Sequence, residues 1–525
     1  MKRTLLAVLI GSSLTGASQT IHTSIVDDPV VMRHTINAFL REKTEYLDGE
    51  NTIQIENTGN NMLQLGYTAK LSTEKHGLIL HRISPDGKDL ETNKLEDGKR
   101  AFGPLSTLSL EFSHRILLVY FKYEDKDSMK LFISEIDRKN LSLIHTQQIY
   151  SYQQDNVGIF KMARALKHTT MYQVSPDSSK LLVCLQDTKG SFFSIVLDDQ
   201  LNTLRKGVSR NPVFADNEVT ACLLENSGHA AFVVSRPVQG FSTQPLQGIL
   251  IQRLDGREKY QDLAGTGTDG ALLNCHLQAS RDNARIFAFG DYSGEVGSAG
   301  TWLAEINPTD LRISRASIFP YPSDYTEQLY KIGFGVRHRG TYGVLDVDYD
   351  LAELDDGSLA LGGTPVSRHD NRNWDPGTNS HSGYVMYYAG PVMTAFFDKN
   401  RKGKSYGLIP RNENLSQGSA LILLPYQDRL IVFFNDYEKN FTEPLMENDV
   451  HKSGGAVIHE LSLGYGVFSE KGAVLDRKMI SQGVSRMECF NTALGRLLAN
   501  NKLAIPSSTI DKNSKTYKVA LITVE

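Results

Sequence analysis

Short apolar runs recur along the chain, each entered from a polar turn and each followed by further strand-like stretches. Eight of them align by that turn: residues 62–67, 116–121, 181–185, 230–234, 286–289, 359–361, 430–434 and 503–505. The turns are rich in Asn, Asp, Gly and Ser, which accept a left-handed backbone or hydrogen-bond their own main chain. Runs this short, bounded in this way, predict buried strands rather than helices. Two more strands follow in most repeats. After 116–121 come 131–137 and 141–144, separated by Arg138-Lys139-Asn140; after 181–185 come 192–197 and 201–208, with Asp198-Asp199-Gln200 between. An apolar strand that ends in Asp or Asn and then turns is the shared element.

Corresponding positions Leu63, Leu117, Leu182, Phe232, Phe287, Ala360, Ile431 and Ala504 lie 50 to 73 residues apart. A four-stranded sheet that buries its faces only against its neighbours uses roughly 40 to 50 residues, so the longer steps hold insertions. The pattern predicts an all-β chain folded as a β-propeller of eight blades, with seven as the alternative. Residues 19–525 read as one propeller domain, with longer loop insertions over 337–460. The last strand, 518–524, is expected to pair with a segment between about residue 25 and 50, so that N- and C-terminal strands close the ring. Helical periodicity is confined to 30–42 and, weakly, to 491–499.

Ser175-Pro176-Asp177-Ser178-Ser179-Lys180 resembles the SPDGK-type turn of bacterial TolB-like and WD40-like propeller repeats, and Ser84-Pro85-Asp86-Gly87-Lys88 shares its turn chemistry. Leu354-Asp355-Asp356-Gly357-Ser358-Leu359-Ala360-Leu361-Gly362-Gly363 resembles the D-G-S-L-x-L-x-G hairpin of secreted propeller-like repeats. Tyr406-Gly407-Leu408-Ile409-Pro410-Arg411-Asn412, with Leu430-Ile431-Val432-Phe433-Phe434-Asn435-Asp436, is similar to segments of uncharacterised exported proteins of Bacteroidota. These short motifs imply a fold class and an exported protein. They imply no activity, because propellers serve as enzymes, receptors and scaffolds alike.

Composition narrows the picture further. Apolar residues make up 40% of the 525 and charged residues 22%, enough for a folded core throughout. The formal charge of −4 supplies no field for a phosphate backbone or an anionic bilayer, so no nucleic-acid partner is expected. Lys2 and Arg3, an apolar stretch over 5–14 and the small residues Gly16-Ala17-Ser18 form a signal peptide over 1–18, implying a periplasmic or secreted destination. No other segment reaches the ~18 consecutive apolar residues of a membrane span. Cys184, Cys222, Cys275 and Cys489 fall in or beside predicted strands, the first three in different repeats, and are expected as buried free thiols. No Cys/His spacing suits a metal, and no metal or cofactor is expected.

Candidate chemistry concentrates in residues 367–382. Arg368, His369, Asp370, Arg372, Trp374, Asp375 and His381 are the candidate ligand-binding residues. A tryptophan among directional hydrogen-bonding groups suits a sugar ring or another flat, polar ligand. The plainer alternative is a solvated insertion whose Trp374 caps a neighbouring blade. His338, His451 and His459 fall in the same late part of the chain.

Two further motifs fail on inspection. Asp346-Val347-Asp348-Tyr349-Asp350 opens like a calcium loop, but Leu351 and Gly357 stand where its Gly and its bidentate Glu belong, and alternation there predicts a half-exposed strand. Gly265-Thr266-Gly267-Thr268-Asp269-Gly270 matches a dinucleotide fingerprint literally, but the following 271–277 reads as a strand and not as the helix that would meet a pyrophosphate. HExxH and the full phosphate-loop pattern GxxxxGK[ST] are absent from the sequence, and no catalytic residue is assigned. The expected function is an exported ligand-binding or scaffold module of the cell envelope, partnered by a glycan or an envelope protein. The alternative is a propeller enzyme, a hydrolase or lyase acting on glycans or peptides.

Overall fold

The computed structural model describes residues 21–27, 43–48, 51–57, 77–83, 89–96, 107–123, 128–153, 170–186, 191–209, 211–214, 217–235, 247–263, 272–294, 297–310, 312–338, 341–345, 347–370, 373–375, 380–382, 385–411, 413–414, 421–442, 461–481, 488–490, 492, 496–499, 501–509 and 518–524. They form eight antiparallel sheets, each with four strands in order. Blade 1 comprises Lys43–Asp48, Asn51–Asn57, Gly77–Ile83 and Asp89–Glu96, and blade 2 comprises Thr107–Phe112, Arg115–Tyr123, Ser128–Asp137 and Ser142–Gln153. Blade 3 comprises Thr170–Val174, Lys180–Gln186, Phe192–Asp198 and Thr203–Ser209; blade 4 comprises Glu218–Leu224, Ala230–Ser235, Gln247–Gln252 and Glu258–Asp262. Blade 5 is His276–Ala279, Ile286–Ser293, Ser298–Ile306 and Ile313–Pro320; blade 6 is Val347–Glu353, Leu359–Asp370, Val392–Phe397 and Gly403–Ile409. Blade 7 is Ile422–Tyr426, Arg429–Tyr437, Leu461–Ser469 and Val474–Ser481. Blade 8 joins Arg496–Ala499, Lys502–Thr509 and Lys518–Val524 to Ile21–Asp27. The fold is an eight-bladed β-propeller.

Strand periodicity explains how the blades stack. Successive side chains point to opposite faces of a strand, so a strand covered on both faces must be apolar at consecutive positions. In blade 2, Ile116, Leu118 and Tyr120 pack with Ile53, Ile55, Leu78 and Leu80 of blade 1, while Leu117 and Val119 pack with Leu181, Val183 and Leu185 of blade 3. The alternation continues round the molecule. Leu182 and Cys184 of blade 3 meet Phe232 and Val234 of blade 4, whose Ala231 and Val233 meet Ile286 and Ala288 of blade 5. Phe287 and Phe289 then meet Leu359 and Leu361 of blade 6; Ala360 meets Val432 and Phe434 of blade 7; Ile431 and Phe433 meet Leu503, Ile505 and Ile522 of blade 8. Full burial of one such Leu, Ile or Phe stabilises by about 1.5–3 kcal/mol.

Seven of the eight aligned positions, Leu117 through Ala504, lie on the second strands of blades 2 to 8. The eighth, Leu63, lies outside the described residues; the second strand of blade 1 is Asn51–Asn57. Ring closure pairs Ile21 with Val524 and Asp27 with Lys518, so the closing strand begins earlier than the expected window, and Lys43–Asp48, inside that window, opens blade 1. The helix expected at 491–499 is overturned over its last part: Arg496–Ala499 is a strand paired with Lys502–Thr509, because Leu497 there sits opposite Leu503 in blade 8. Residues 30–42 lie outside the described residues. The strand expected at 271–277 starts only at His276, with Leu272 making a single bridge to Tyr292. Residues 265–270 and residues 1–18 are outside the described set.

Between blades 5 and 6 the chain adds the helix Ser323–Lys331 and the hairpin Gly335–His338/Thr341–Val344. The helix buries Tyr325, Thr326 and Leu329 over the apolar layer between the two blades. The Asp346 region is the half-exposed strand that alternation predicts, with Val347 and Tyr349 buried and Asp350 exposed.

Candidate functional face

Antiparallel succession sorts the connections into two sets. Links from first to second and from third to fourth strand emerge on one face, and links from second to third strand and from blade to blade emerge on the other. The first face is made of tight, self-satisfied turns. In blade 3, Ser175 Oγ donates to Asp177 Oδ1 at 2.6 Å, that oxygen accepts Ser179 N at 3.0 Å, and Ser178 carries the left-handed residue at φ 56°. Blade 5 repeats the device: Ser280 Oγ donates to Asp282, whose Oδ1 accepts Ala284 N at 3.0 Å, with Asn283 at φ 54°. Asp198 and Asp398 close third-to-fourth turns in the same manner, accepting Gln200 N at 2.9 Å and Asn400 N at 2.7 Å. These hydrogen bonds hold the carboxyls of Asp177 and Asp282 below their ordinary range, the Ser175 and Ser280 hydroxyls acting most strongly. The turn motifs so visible in the sequence therefore do architectural work.

The opposite face carries the longer connections, and residues 367–382 emerge there. The second strand of blade 6 is twelve residues long. Its first half pairs with Val392–Phe397, and from Val366 onward it pairs instead with Val385–Ala389, so the strand runs past its own blade as a stem. Along that stem Arg368 is opposite Tyr387, His369 opposite Met386 and Asp370 opposite Val385. Beyond it, Asn373–Asp375 pairs with Ser380–Ser382, which makes Trp374 and His381 cross-strand partners and sets Asp375 opposite Ser380. Six of the seven candidate residues thus belong to one extended hairpin; Arg372 lies outside the described residues. His338 ends the first strand of the separate hairpin between blades 5 and 6, opposite Thr341, and His451 and His459 are outside the described set.

The root of the stem is fastened by groups the sequence did not reveal. Gly390 N donates to Pro365 O at 2.8 Å, and Gly390 O accepts both Thr364 Oγ1 and the Nε of Arg411 at 2.9 Å. The fully buried Arg411 also donates through Nη2 to Thr364 Oγ1 and through Nη1 to Asn435 O of blade 7, each at 3.2 Å. Glu413–Asn414 adds a short third strand against Tyr388 and Ala389. Next to Asn435 lies Asp436, also fully buried, which accepts Arg477 Nη2 at 2.7 Å, Asn440 Nδ2 at 2.8 Å and Tyr437 N at 2.8 Å. Burial pushes the Asp436 carboxyl up to about 6, against the opposing pull of the Arg477 and Arg411 charges. The same burial lowers Arg477. A carboxylate enclosed and held on both oxygens has no route to a substrate, so Asp436 serves the scaffold.

Other buried acids are engaged similarly. In blade 5, Asp291 accepts Tyr321 OH at 3.1 Å and, at 2.8 Å, the main-chain N–H of Val347, where blade 6 begins. Asn274 bridges Asp291 N and Val347 O and receives Trp302 Nε1 at 3.3 Å, so the second tryptophan is core. Burial raises the Tyr321, Tyr325 and Tyr349 hydroxyls well above their usual range. Gln186 plays the equivalent part between blades 3 and 4, accepting Val219 N at 2.9 Å. On the turn face, Glu305 of blade 5 meets Arg401 of blade 6 at 2.9 Å. Among the described residues no group of three or more His, Cys, Asp or Glu side chains could hold a metal ion. Among them, too, no helix is long and apolar enough to cross a membrane.

No protein-family profile matches the chain, and no curated protein matches it in sequence. Solved structures align with it at low identity. The WD40 domain of SCAP from fission yeast matches at 8% identity and a TM-score of 0.38, over 95% of this chain and 98% of that one. An uncharacterised protein from Listeria monocytogenes EGD-e matches at 8% and 0.35, over 77% and 91%. A prolyl endopeptidase matches at 10% and 0.34 over 90% of this chain, which spans 55% of the peptidase's length. The eight sheets define the class of protein, a β-propeller, and likenesses of this size say nothing about activity.

Proposed function

We propose that the protein is an exported binding or scaffold module of the cell envelope, and that the hairpin of blade 6 is its contact element. The observation that carries this reading is the extended stem. It lifts the cross-strand pair Trp374 and His381 off the propeller, beyond a root held by Arg411, Thr364 and Gly390. A rigid scaffold presenting a tryptophan and polar groups on a projecting loop suits a flat, polar ligand, a glycan foremost. Export rests on Lys2, Arg3 and the apolar stretch that follows them. The buried acids Asp291 and Asp436 are committed to the scaffold, Asp291 to the start of blade 6 and Asp436 to Arg477 of its own blade, which favours binding over hydrolysis.

A glycan array probed with the parent and with Trp374→Ala tests the reading. Binding by the parent that drops at least tenfold in the variant supports it. Equal binding by both, or no glycan bound by the parent together with no envelope protein recovered on it, overturns it.

A further inference from the structure

We infer that Cys184 and Cys222 are a disulfide-forming pair that staples blade 3 to blade 4. Cys184 lies on the second strand of blade 3 and Cys222 on the first strand of blade 4, and both pack in the apolar layer between those blades. The Cys184 thiol donates at 3.7 Å to the carbonyl oxygen of Met171, its partner on the neighbouring strand, and Cys222 packs against the same buried cluster from blade 4. Both cysteines are free thiols here. The strands that carry them are drawn together nearby, where Gln186, two residues past Cys184, takes the N–H of Val219, three before Cys222. Cross-linking therefore asks for a local adjustment rather than a movement of blades.

The two thiols differ in access, which sets the order of exchange. Cys222 is partly exposed, whereas Cys184 is fully buried, so an external disulfide reaches Cys222 first. Burial holds the Cys184 thiol well above its ordinary range, so it reacts only after Cys222 has formed a mixed disulfide beside it and in a medium made mildly alkaline. With oxidised glutathione as the oxidant, the Cys222 thiolate attacks one glutathione sulfur, the glutathione S–S bond breaks, and one glutathione thiolate leaves. The Cys184 thiolate then attacks the sulfur of Cys222 and expels the second glutathione. The two cysteines lose two electrons, the glutathione disulfide gains them, and the two protons end on the two released thiols.

Cys275 provides an internal control, since it is buried in the next layer, between blades 4 and 5, away from the pair. The folded, reduced full chain is incubated with oxidised glutathione at mildly alkaline pH, alkylated after unfolding, digested and mapped by mass. A Cys184–Cys222 cross-linked peptide lighter by two hydrogens, with Cys275 alkylated, is the expected result. Its loss in both Cys222→Ser and Cys222→Ala, with the parent's circular dichroism retained, confirms the assignment. Full alkylation of Cys184 and Cys222 in the treated parent, or a cross-link from either to Cys275 or Cys489, overturns it. The outcome does not depend on what the blade 6 hairpin binds.

Discussion

Arg477 and Asp436 meet at 2.7 Å inside blade 7, with the carboxylate fully buried and the guanidinium stacked 5.0 Å from the Phe441 ring centre. The pair lies directly behind the root of the blade 6 stem, because Arg411, which holds Gly390, also donates to the carbonyl of Asn435 next to Asp436.

Asp436 makes stability depend on pH in a direction opposite to that of an ordinary paired carboxylate. Its carboxyl is raised from 3.8 to about 6 in the folded chain, mainly by burial, so the folded state holds this proton more tightly than the unfolded one. The contribution is full below pH 4 and is lost as pH rises through about 6, a change of about 3 kcal/mol. Denaturant unfolding of the parent and of Asp436→Asn at a series of pH values isolates it. The parent's stability relative to the variant should fall across that interval, and parallel curves would refute the assignment.

Gly390→Ala should destabilise by about 1–3 kcal/mol through overpacking. A Cβ there would sit 2.5 Å from Phe334 Cδ1 and 2.8 Å from Pro365 Cγ, at the point where the stem leaves the blade. Gly207→Ala is the matched control, since nothing lies within 4 Å of its added Cβ, and it should change stability by less than about 1 kcal/mol. Equal shifts in urea midpoint for the two variants would show that the root is slack.

Arg401→Met should cost about 1.5–3 kcal/mol, because it removes the close charged partner of buried Glu305 and leaves it only Arg285 at 3.5 Å and the Ser314 hydroxyl. Burial works against the Glu305 charge, but Arg401 and Arg285 outweigh it and leave its carboxyl below the ordinary range. Its stabilising contribution is present above the unfolded value of 4.5 and lost on acidification. Thermal scans should therefore show a larger gap between parent and variant at pH 7 than at pH 3.

Removing residues 516–525 should abolish cooperative unfolding. The deletion takes out Lys518–Val524, the strand that joins Lys502–Thr509 to Ile21–Asp27. A sharp thermal transition in the truncated chain would contradict ring closure by this sheet.

The architecture was legible because both faces of each second strand are covered, which leaves runs such as 181–185 and 430–434 almost wholly apolar. The helix Ser323–Lys331 escaped notice since its nine residues bury only Tyr325, Thr326 and Leu329, too few to set a period. Residues 496–499 are helix-compatible taken alone, but a short hairpin folds them onto Lys502–Thr509, which Lys518–Val524 holds in the sheet from its other edge. At the candidate site, the candidate residues could be named from composition alone, whereas the register that pairs Trp374 with His381 could not. Arg411, Asp436 and Arg477 could not be named, because each gains its meaning from a strand dozens of residues away. Gln186 and Asp291 are hidden in the same way, as single polar residues closing apolar strands.

The pairing of Ile21–Asp27 with Lys518–Val524 also bears on how the molecule comes into being. A ribosome delivers the first of these strands long before the other, with the seven other blades encoded between them. The earlier strand must remain unpaired while seven blades assemble, exposing a sheet edge that invites a second copy of the chain. Refolding yield should accordingly fall as protein concentration rises, even though blades 1 to 7 are each built from strands consecutive in sequence.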